Sequence, residues 1–128
     1  MPIEYSLAQT AKGRTVARSF SRGEITVEDA QNAVRDLLPG GRFHGLAVMR
    51  VIDDSAHYTP EGRRIFATVR EAAGPLAVVA SSVATRAMLR FVLRATELRA
   101  FALGGPEATP VEFSRTEVEA LAWIDTQP

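Results

Sequence analysis

The spacing of apolar positions along the chain changes between that of strands and that of helices. Near the N-terminus, the segments 3–9 and 14–21 have the short, mixed pattern of β-strands. The residues between them include Gly13, which can adopt the positive φ of a tight turn. The pattern therefore predicts an N-terminal hairpin.

Two later segments, 46–52 and 76–80, are almost continuously apolar, and Arg50 is the one charged residue in them. Such runs are typical of strands whose two faces are both covered. The segments around them have helical spacing and predict helices over 27–38, 60–73 and 83–96. The first of these helices is expected to bury Val27, Ala30, Val34, Leu37 and Leu38.

The C-terminal third predicts one more strand and one more helix. A short strand is expected over 98–103. The last helix is expected to begin at the capping box Ser114-Arg115-Thr116-Glu117 and to bury Val118, Leu121, Ala122 and Ile124.

The predicted order of elements is ββαβαβαβα. Strands that alternate with helices form a largely parallel sheet with right-handed crossovers and with helices on its faces. We therefore expect an α/β fold with a mostly parallel five-stranded sheet covered by four helices, and with one hairpin strand antiparallel at an edge. The length of 128 residues fits one domain, 1–128.

Composition argues against several classes of function. Fifteen basic and 15 acidic residues cancel, so no net positive charge favours nucleic acid. The absence of cysteine excludes disulfides, thiolate metal sites and thiol nucleophiles. No apolar stretch approaches the roughly 20 residues of a spanning helix, so we expect a cytoplasmic protein without membrane insertion. No glycine pattern of a phosphate loop occurs, and we expect no cofactor.

Three stretches of the sequence carry a family resemblance. They are the strand-to-helix step that ends in Thr59-Pro60-Glu61, the strand Ala77-Val78-Val79-Ala80-Ser81, and the closing segment 114–124. Together with the order of elements, they resemble the SpoIIAA-like (STAS-related) family of bacterial proteins over nearly the whole chain. The resemblance implies the SpoIIAA-like fold and a non-enzymatic regulatory or protein-interaction module.

The resemblance also implies a candidate switch. In the wider STAS group, a serine in an Asp-Ser-x-Gly loop at the start of the second helix is phosphorylated by a partner kinase. Here Asp54-Ser55 shares two letters of that motif and lacks its glycine. Ser55 and Thr59 are the candidate phospho-acceptors, and a kinase or another regulator is the implied protein partner. Other relatives are linked to lipid or small-molecule binding, so a carrier is the alternative function.

The loops 53–59 and 80–83 each follow a predicted parallel strand and precede a predicted helix. They should therefore meet at the carboxyl edge of the sheet, where open α/β sheets bind ligands. The hydroxyls of Ser81, Ser82 and Thr59, with the amides of the helix N-termini, could hold a phosphate or a carboxylate. Helix capping accounts for the same residues in the same places and is the simpler interpretation.

Asp53, Asp54 and His57 in the first loop raise a third alternative, a small hydrolase or a metal enzyme. A hydrolase would also need a nucleophile elbow, and no Gly-x-Ser-x-Gly occurs. Adjacent carboxylates diverge, and a magnesium site would need further oxygen ligands. We therefore expect no catalytic residue and no metal. His44, which precedes a strand, is expected to make a local hydrogen bond.

Arg86, Arg90 and Arg94 recur every four residues on the third predicted helix. This spacing places them on one face of the helix, where they could meet an acidic partner or simply face solvent. The second and third helices, with the loops before them, form the expected partner surface. A homodimer remains open, because small α/β domains often leave a strand edge or a helix face to be covered.

Overall fold

The computed structural model describes residues 3–61, 74–102 and 111–128. Its strands are β1 (Ile3–Gln9), β2 (Thr15–Ser21), β3 (Glu24–Ile25), β4 (Ala47–Ile52), β5 (His57–Tyr58), β6 (Leu76–Val79) and β7 (Val111–Ser114). Its helices in these ranges are α1 (Val27–Arg35), α2 (Val83–Ala102) and α3 (Glu117–Ile124). None of these described helices is both long and apolar enough to cross a membrane.

Five strands form one sheet in the order β1-β2-β4-β6-β7. β1 is antiparallel to β2, and each of the other neighbouring pairs is parallel. The predicted α/β fold, with a mostly parallel five-stranded sheet and one antiparallel hairpin strand at an edge, is therefore confirmed. The hairpin closes through Gly13, whose φ of 82° is a left-handed value that residues with a side chain disfavour. A separate parallel pair consists of β3 and β5.

Both faces of the sheet are covered. On one side, which we call the α1 face, core residues of β2, β4 and β6 pack with α1 and with the half-buried Leu89 of α2. The buried residues of this cluster are Ala17, Val34, Leu37, Phe43, Val48, Ile52, Leu76 and Val78. On the other side, the α3 face, they are Val16, Ala47, Met49, Ala77, Val79, Ala120 and Ile124. Neighbours in a strand alternate between the two faces because side chains in a strand have a period of two.

The prediction of a strand over 98–103 is wrong for the residues described. α2 continues through residue 102, past its expected end at 96, and the fifth strand of the sheet is β7. Residues 98–102 are Leu-Arg-Ala-Phe-Ala, in which leucine, arginine and alanine are strong helix formers and no glycine or proline ends the helix. Short apolar runs do not distinguish a strand from a helix, and here the helix continues.

α3 begins two residues later than the predicted capping box. Ser114 is the last residue of β7, and Thr116 is the N-cap of α3. The Thr116 hydroxyl accepts a hydrogen bond from the Glu119 amide at 3.2 Å. The match of Ser114 and Glu117 to the capping pattern was therefore misleading, because the strand uses Ser114 for its pairing with β6.

This later start changes which residues of α3 are buried. Ala120 and Ile124 are fully buried, and Leu121 is half-buried. Val118 is 78% exposed and Ala122 is also exposed, so the prediction that these two are buried is wrong.

α1 begins as predicted and ends earlier. Thr26 and Asp29 form a complete capping box, in which each side chain accepts from the backbone amide of the other. The helix ends at Arg35, and the chain then turns ahead of a proline, which disfavours helical φ/ψ in the residue before it. Val27 and Leu38, which were expected to be buried, are 39% and 40% exposed.

The predicted helix over 60–73 falls almost wholly outside the described residues. The number of four helices therefore stays a prediction.

Candidate functional site

Two loops meet at the carboxyl edge of the parallel strands. The first loop follows β4 and contains β5, and the second follows β6 and leads into α2. Their side chains are joined by a hydrogen bond, in which the Ser81 hydroxyl donates to Asp54 Oδ1 at 3.1 Å. Both residues are exposed, so the contact between the loops lies at the surface. The sequence predicted this meeting of the two loops.

The first loop is fixed to the chain that leaves β2. The Asp53 amide donates to the carbonyl of the last residue of β2 at 2.9 Å. Further along, the His57 amide donates to the Gly23 carbonyl at 2.9 Å, and the Thr59 amide donates to the Ile25 carbonyl at 3.0 Å. These bonds, which include the pairing of β3 with β5, hold the side chains of the loop at the sheet edge.

Ser55 attaches the first loop to the turn after β2. Its hydroxyl donates to Asp53 Oδ2 at 2.5 Å and accepts from the Gly23 amide at 3.2 Å. The Ser55 amide donates to the same carboxylate oxygen at 3.2 Å. The hydroxyl first, and then the amide, hold the pKa of Asp53 below its ordinary value. Ser55 is exposed, so a modifying enzyme or a partner can reach it.

The other predicted hydroxyls have structural contacts. The Ser82 hydroxyl accepts from the Thr85 amide at 3.3 Å, as the hydroxyl of a helix-capping residue does. Thr59 is half-buried, and its amide belongs to the bonds that fix the first loop. The Ser82 hydroxyl therefore caps α2, which is the simpler of the two interpretations of this residue.

The acids and the histidine of the first loop each bond to a different group. His57 Nδ1 lies 3.3 Å from the Ser55 carbonyl oxygen. Ser81 bonds to Asp54, and Asp53 bonds to Ser55. In the part of the chain that the structure describes, no three His, Cys, Asp or Glu side chains are grouped as metal ligands would be.

His44 lies outside the two loops. Its Nδ1 is 2.9 Å from the Leu37 carbonyl oxygen. This is a local hydrogen bond of the kind that the sequence predicted, and it ties the turn after α1 to the segment before β4.

The three arginines of α2 have three different environments. Arg86 is half-buried and donates to two carbonyls of the second loop, at 2.6 and 3.0 Å. The Arg90 guanidinium lies 5.5 Å from the centre of the Phe113 ring of β7, within the range of a cation–π contact. Arg94 is exposed. Arg86 therefore supports the loop, whereas Arg90 and Arg94 present their charge at the surface.

A polar stripe buried on the α1 face was not predicted from the sequence. It consists of Ser19 and Ser21 on β2 and Arg50 on β4, each at most 6% exposed. Ser19 and Arg50 are direct cross-strand neighbours. Within the described ranges, the hydroxyls of Ser19 and Ser21 have no hydrogen-bond partner. A signal did exist, because Arg50 interrupts an apolar strand and the two serines share the period of two along β2.

A groove of about 450 Å³ lies between β1 and α1. Its described lining residues come from β1, α1 and the turn after α1, and the charged ones are Glu4, Asp29, Asp36 and Arg42. Tyr5 is one of the lining residues, and its hydroxyl donates to a backbone carbonyl of α1 at 2.9 Å. Burial raises the pKa of Tyr5 above its ordinary value. The groove is thus a concave surface away from the two loops, with a mixed charged and aromatic lining.

Comparison with known proteins identified no relative of this chain. No protein-family model matches the chain, and neither the curated proteins nor the solved structures contain a match to it.

Proposed function

We propose that the chain is a non-enzymatic regulatory or protein-interaction module of the SpoIIAA-like type, acting in the bacterial cytoplasm. Its partner surface consists of the two hydrogen-bonded loops, α2 and the helix that the sequence predicts over 60–73. One observation carries the proposal: the exposed Ser55 hydroxyl joins Asp53 and Gly23 at the edge where parallel sheets bind their ligands. The resemblance of the sequence to the SpoIIAA-like family supports the same assignment.

Phosphorylation of Ser55 by a partner kinase would change this edge directly. The phosphoryl group replaces a hydrogen-bond donor with a dianion beside the carboxylates of Asp53 and Asp54. The bond from Ser55 to Asp53 is then lost, and the like charges repel one another. The segment at Asp53 and Ser55 is expected to rearrange, and a partner that recognises the unmodified loop then binds more weakly.

The side chains of this edge favour binding over catalysis. A serine nucleophile needs a general base within hydrogen-bond reach. The Ser55 hydroxyl donates to Asp53, whose lowered pKa makes it a weak base, and the Ser81 hydroxyl donates to Asp54. Among the described residues, no hydrogen bond joins either hydroxyl to the His57 ring. We therefore infer a module that is read by partners and that does not itself turn over a substrate.

Phosphosite mapping tests the switch. The purified chain is incubated with ATP and a lysate of its host, and modified residues are located by mass spectrometry. Phosphate is expected on Ser55 in the wild-type chain and in the Thr59→Ala variant, and not in Ser55→Ala. The switch is removed from the proposal if neither Ser55 nor Thr59 is modified.

A matched pair of charge substitutions tests the partner surface. Immobilised wild-type chain is compared with Ser55→Glu, which adds negative charge within the loops, and with Ser6→Glu, which adds it at an exposed position of β1. A partner of the loops is expected on the wild-type chain and on Ser6→Glu, and it should be lost from Ser55→Glu. Equal retention by all three would place the partner surface elsewhere.

A small-molecule or lipid carrier is the second candidate function. The groove between β1 and α1 favours it, because about 450 Å³ is enough for a small ligand. The charged lining suits a polar molecule better than a lipid chain. Native mass spectrometry of chain isolated from the host should then show a bound mass that Asn32→Trp, a substitution in the groove lining, abolishes. Chain that carries no ligand before and after the substitution would exclude the carrier.

A further inference from the structure

The outward side of α2 carries apolar residues where a surface helix ordinarily carries polar ones. Val83 is 72% exposed, Phe91 is 75% exposed and Met88 is 44% exposed. Ala84 and Ala87 lie between them and are also exposed. Spacings of three, four and seven residues place these five side chains on one face of the helix, which we call the outer stripe.

The opposite side of α2 is already in use. Leu89 packs against the core of the α1 face, and Arg86 donates to the carbonyls of the second loop. The helix is therefore anchored by one face to its own sheet. Its outer stripe is a fixed surface that the described residues of the same chain leave open to solvent.

Opposite charges stand at the two ends of the outer stripe. At the N-terminal end, the Ser81 hydroxyl holds the carboxylate of Asp54 at 3.1 Å. At the other end, Arg94 is exposed. It follows Phe91 by three residues and Val83 by eleven, and these spacings place it on the same face of the helix. The stripe thus runs from an acid to a base over about three turns of helix.

We propose that a second copy of this chain docks on the outer stripe through its own α2, antiparallel and related by a two-fold axis near Ala87. In that arrangement Phe91 of one copy packs beside Ala84 of the other, and the two Ala87 residues let the helices approach closely. Arg94 of one copy lies beside Ser81 and Asp54 of the other, and the two-fold axis repeats this ion pair. An isologous contact of this kind closes as a dimer.

The charges select a second copy over other occupants. An acidic helix from another protein would satisfy Arg94 at one end and would meet Asp54 at the other. An anionic membrane would be attracted by Arg90 and Arg94 and repelled by Asp53 and Asp54, so it would match only one end of the stripe. A second copy in antiparallel orientation is the partner that matches both ends with opposite charge.

The dimer is expected to be weak, because two short helix faces bury an area at the low end for specific interfaces. Its test is sedimentation velocity of the full chain from about 5 to 500 μM, a range that covers micromolar dissociation constants. Wild-type chain should shift from monomer to dimer over this range. A chain that stays monomeric throughout overturns the proposal.

Substitutions then locate the interface. Phe91→Arg should weaken the dimer by about tenfold or more, as removal of a central aromatic side chain does. Val118→Arg is the matched control, because Val118 is 78% exposed on α3 and lies outside the outer stripe. The expected result is a dimer with unchanged dissociation constant in Val118→Arg. A dimer that survives Phe91→Arg, with the fold verified by circular dichroism, places the contact elsewhere and overturns the proposal.

A charge exchange tests the antiparallel orientation independently of the apolar contacts. Arg94→Glu and Asp54→Arg each place like charges against one another, and each should weaken the dimer about threefold to tenfold. The double variant restores opposite charges in reversed order, so its dissociation constant should return to within about threefold of the wild-type value. Additive weakening in the double variant would rule out the pairing of Arg94 with Asp54. Sedimentation measures self-association and phosphosite mapping measures modification of Ser55, so the dimer and the switch can fail separately.

Discussion

The two faces of the central sheet are both buried, and they are filled with different chemistry. On the α3 face, the buried side chains of β2, β4 and β6 are all apolar and pack against Ala120 and Ile124. On the α1 face, the buried side chains of Ser19, Ser21 and Arg50 lie among the apolar ones. The same three strands thus build an apolar core on one side and a partly polar core on the other.

The difference has an energetic consequence. Burial of apolar surface stabilises the fold by about 25 cal/mol per Å². A buried hydroxyl without a partner instead costs about 1–3 kcal/mol relative to one that is bonded. Within the described ranges the hydroxyls of Ser19 and Ser21 are of this second kind. The α3 face should therefore contribute more stability for each buried residue than the α1 face does.

The largest effect should come from a cavity on the α3 face. Ile124 is fully buried on α3, and Ile124→Ala is expected to lower the free energy of unfolding by about 3 kcal/mol, measured in urea. Val118→Ala on the same helix is the control, and it should change stability by less than about 0.5 kcal/mol. Similar losses for the two variants would contradict the packing of α3 described above.

The next largest effect is expected in the polar stripe, where removing a hydroxyl should raise the free energy of unfolding instead of lowering it. Ser19→Ala removes a buried hydroxyl and leaves the shape of the core nearly unchanged, so it should raise the free energy of unfolding by about 1 kcal/mol. Ala17→Ser adds a buried hydroxyl two residues away on the same face of β2 and should lower it by about 1–2 kcal/mol. A loss of stability in Ser19→Ala would mean that this hydroxyl is bonded in solution.

The sequence predicted the buried strands β4 and β6 because their apolar runs are bounded by turn and capping residues. The same reasoning failed near the C-terminus. Residues 98–102 have the apolar character of a strand, and yet they extend α2, because leucine, arginine and alanine also favour a helix and a short apolar run does not distinguish the two. β7 was missed because its last residue, Ser114, also fits the capping pattern of a helix, and the sequence analysis assigned Ser114 to the last helix.

The sequence predicted which loops form the candidate site, but it did not predict the hydrogen bonds within and between them. The rule that ligand sites lie at the carboxyl ends of parallel strands brought Ser55, Asp54 and Ser81 to one edge. The bond from the Gly23 amide to Ser55 depends on the pairing of β3 with β5, and strands of two residues leave no periodic signal. The burial of Arg50 depends on the register of β2 and β4, which a local pattern does not contain.

The smallest effect concerns an ion pair at the margin of the α3 face. Arg18 of β2 makes a two-point contact with Glu117, the first residue of α3, with distances of 2.6 Å from Nε to Oε1 and 3.2 Å from Nη2 to Oε2. The hydrogen bonds from Arg18 hold the pKa of Glu117 below its ordinary value of 4.5. Because the folded state lowers this pKa, the pair contributes stability above the ordinary value and loses it as the pH falls through the lowered value.

Glu117→Gln is therefore expected to lower the free energy of unfolding by about 0.5 kcal/mol at neutral pH, since solvent screens a pair that is only partly buried. Below the lowered pKa the glutamate is protonated in both the folded and the unfolded state, so there the two chains should unfold at the same urea concentration. Glu4→Gln is the control, because its contact with Arg22 is longer, at 3.4 Å, and both side chains are more than half exposed. A loss in Glu117→Gln that persists at low pH would assign the contact between β2 and α3 to packing instead of charge.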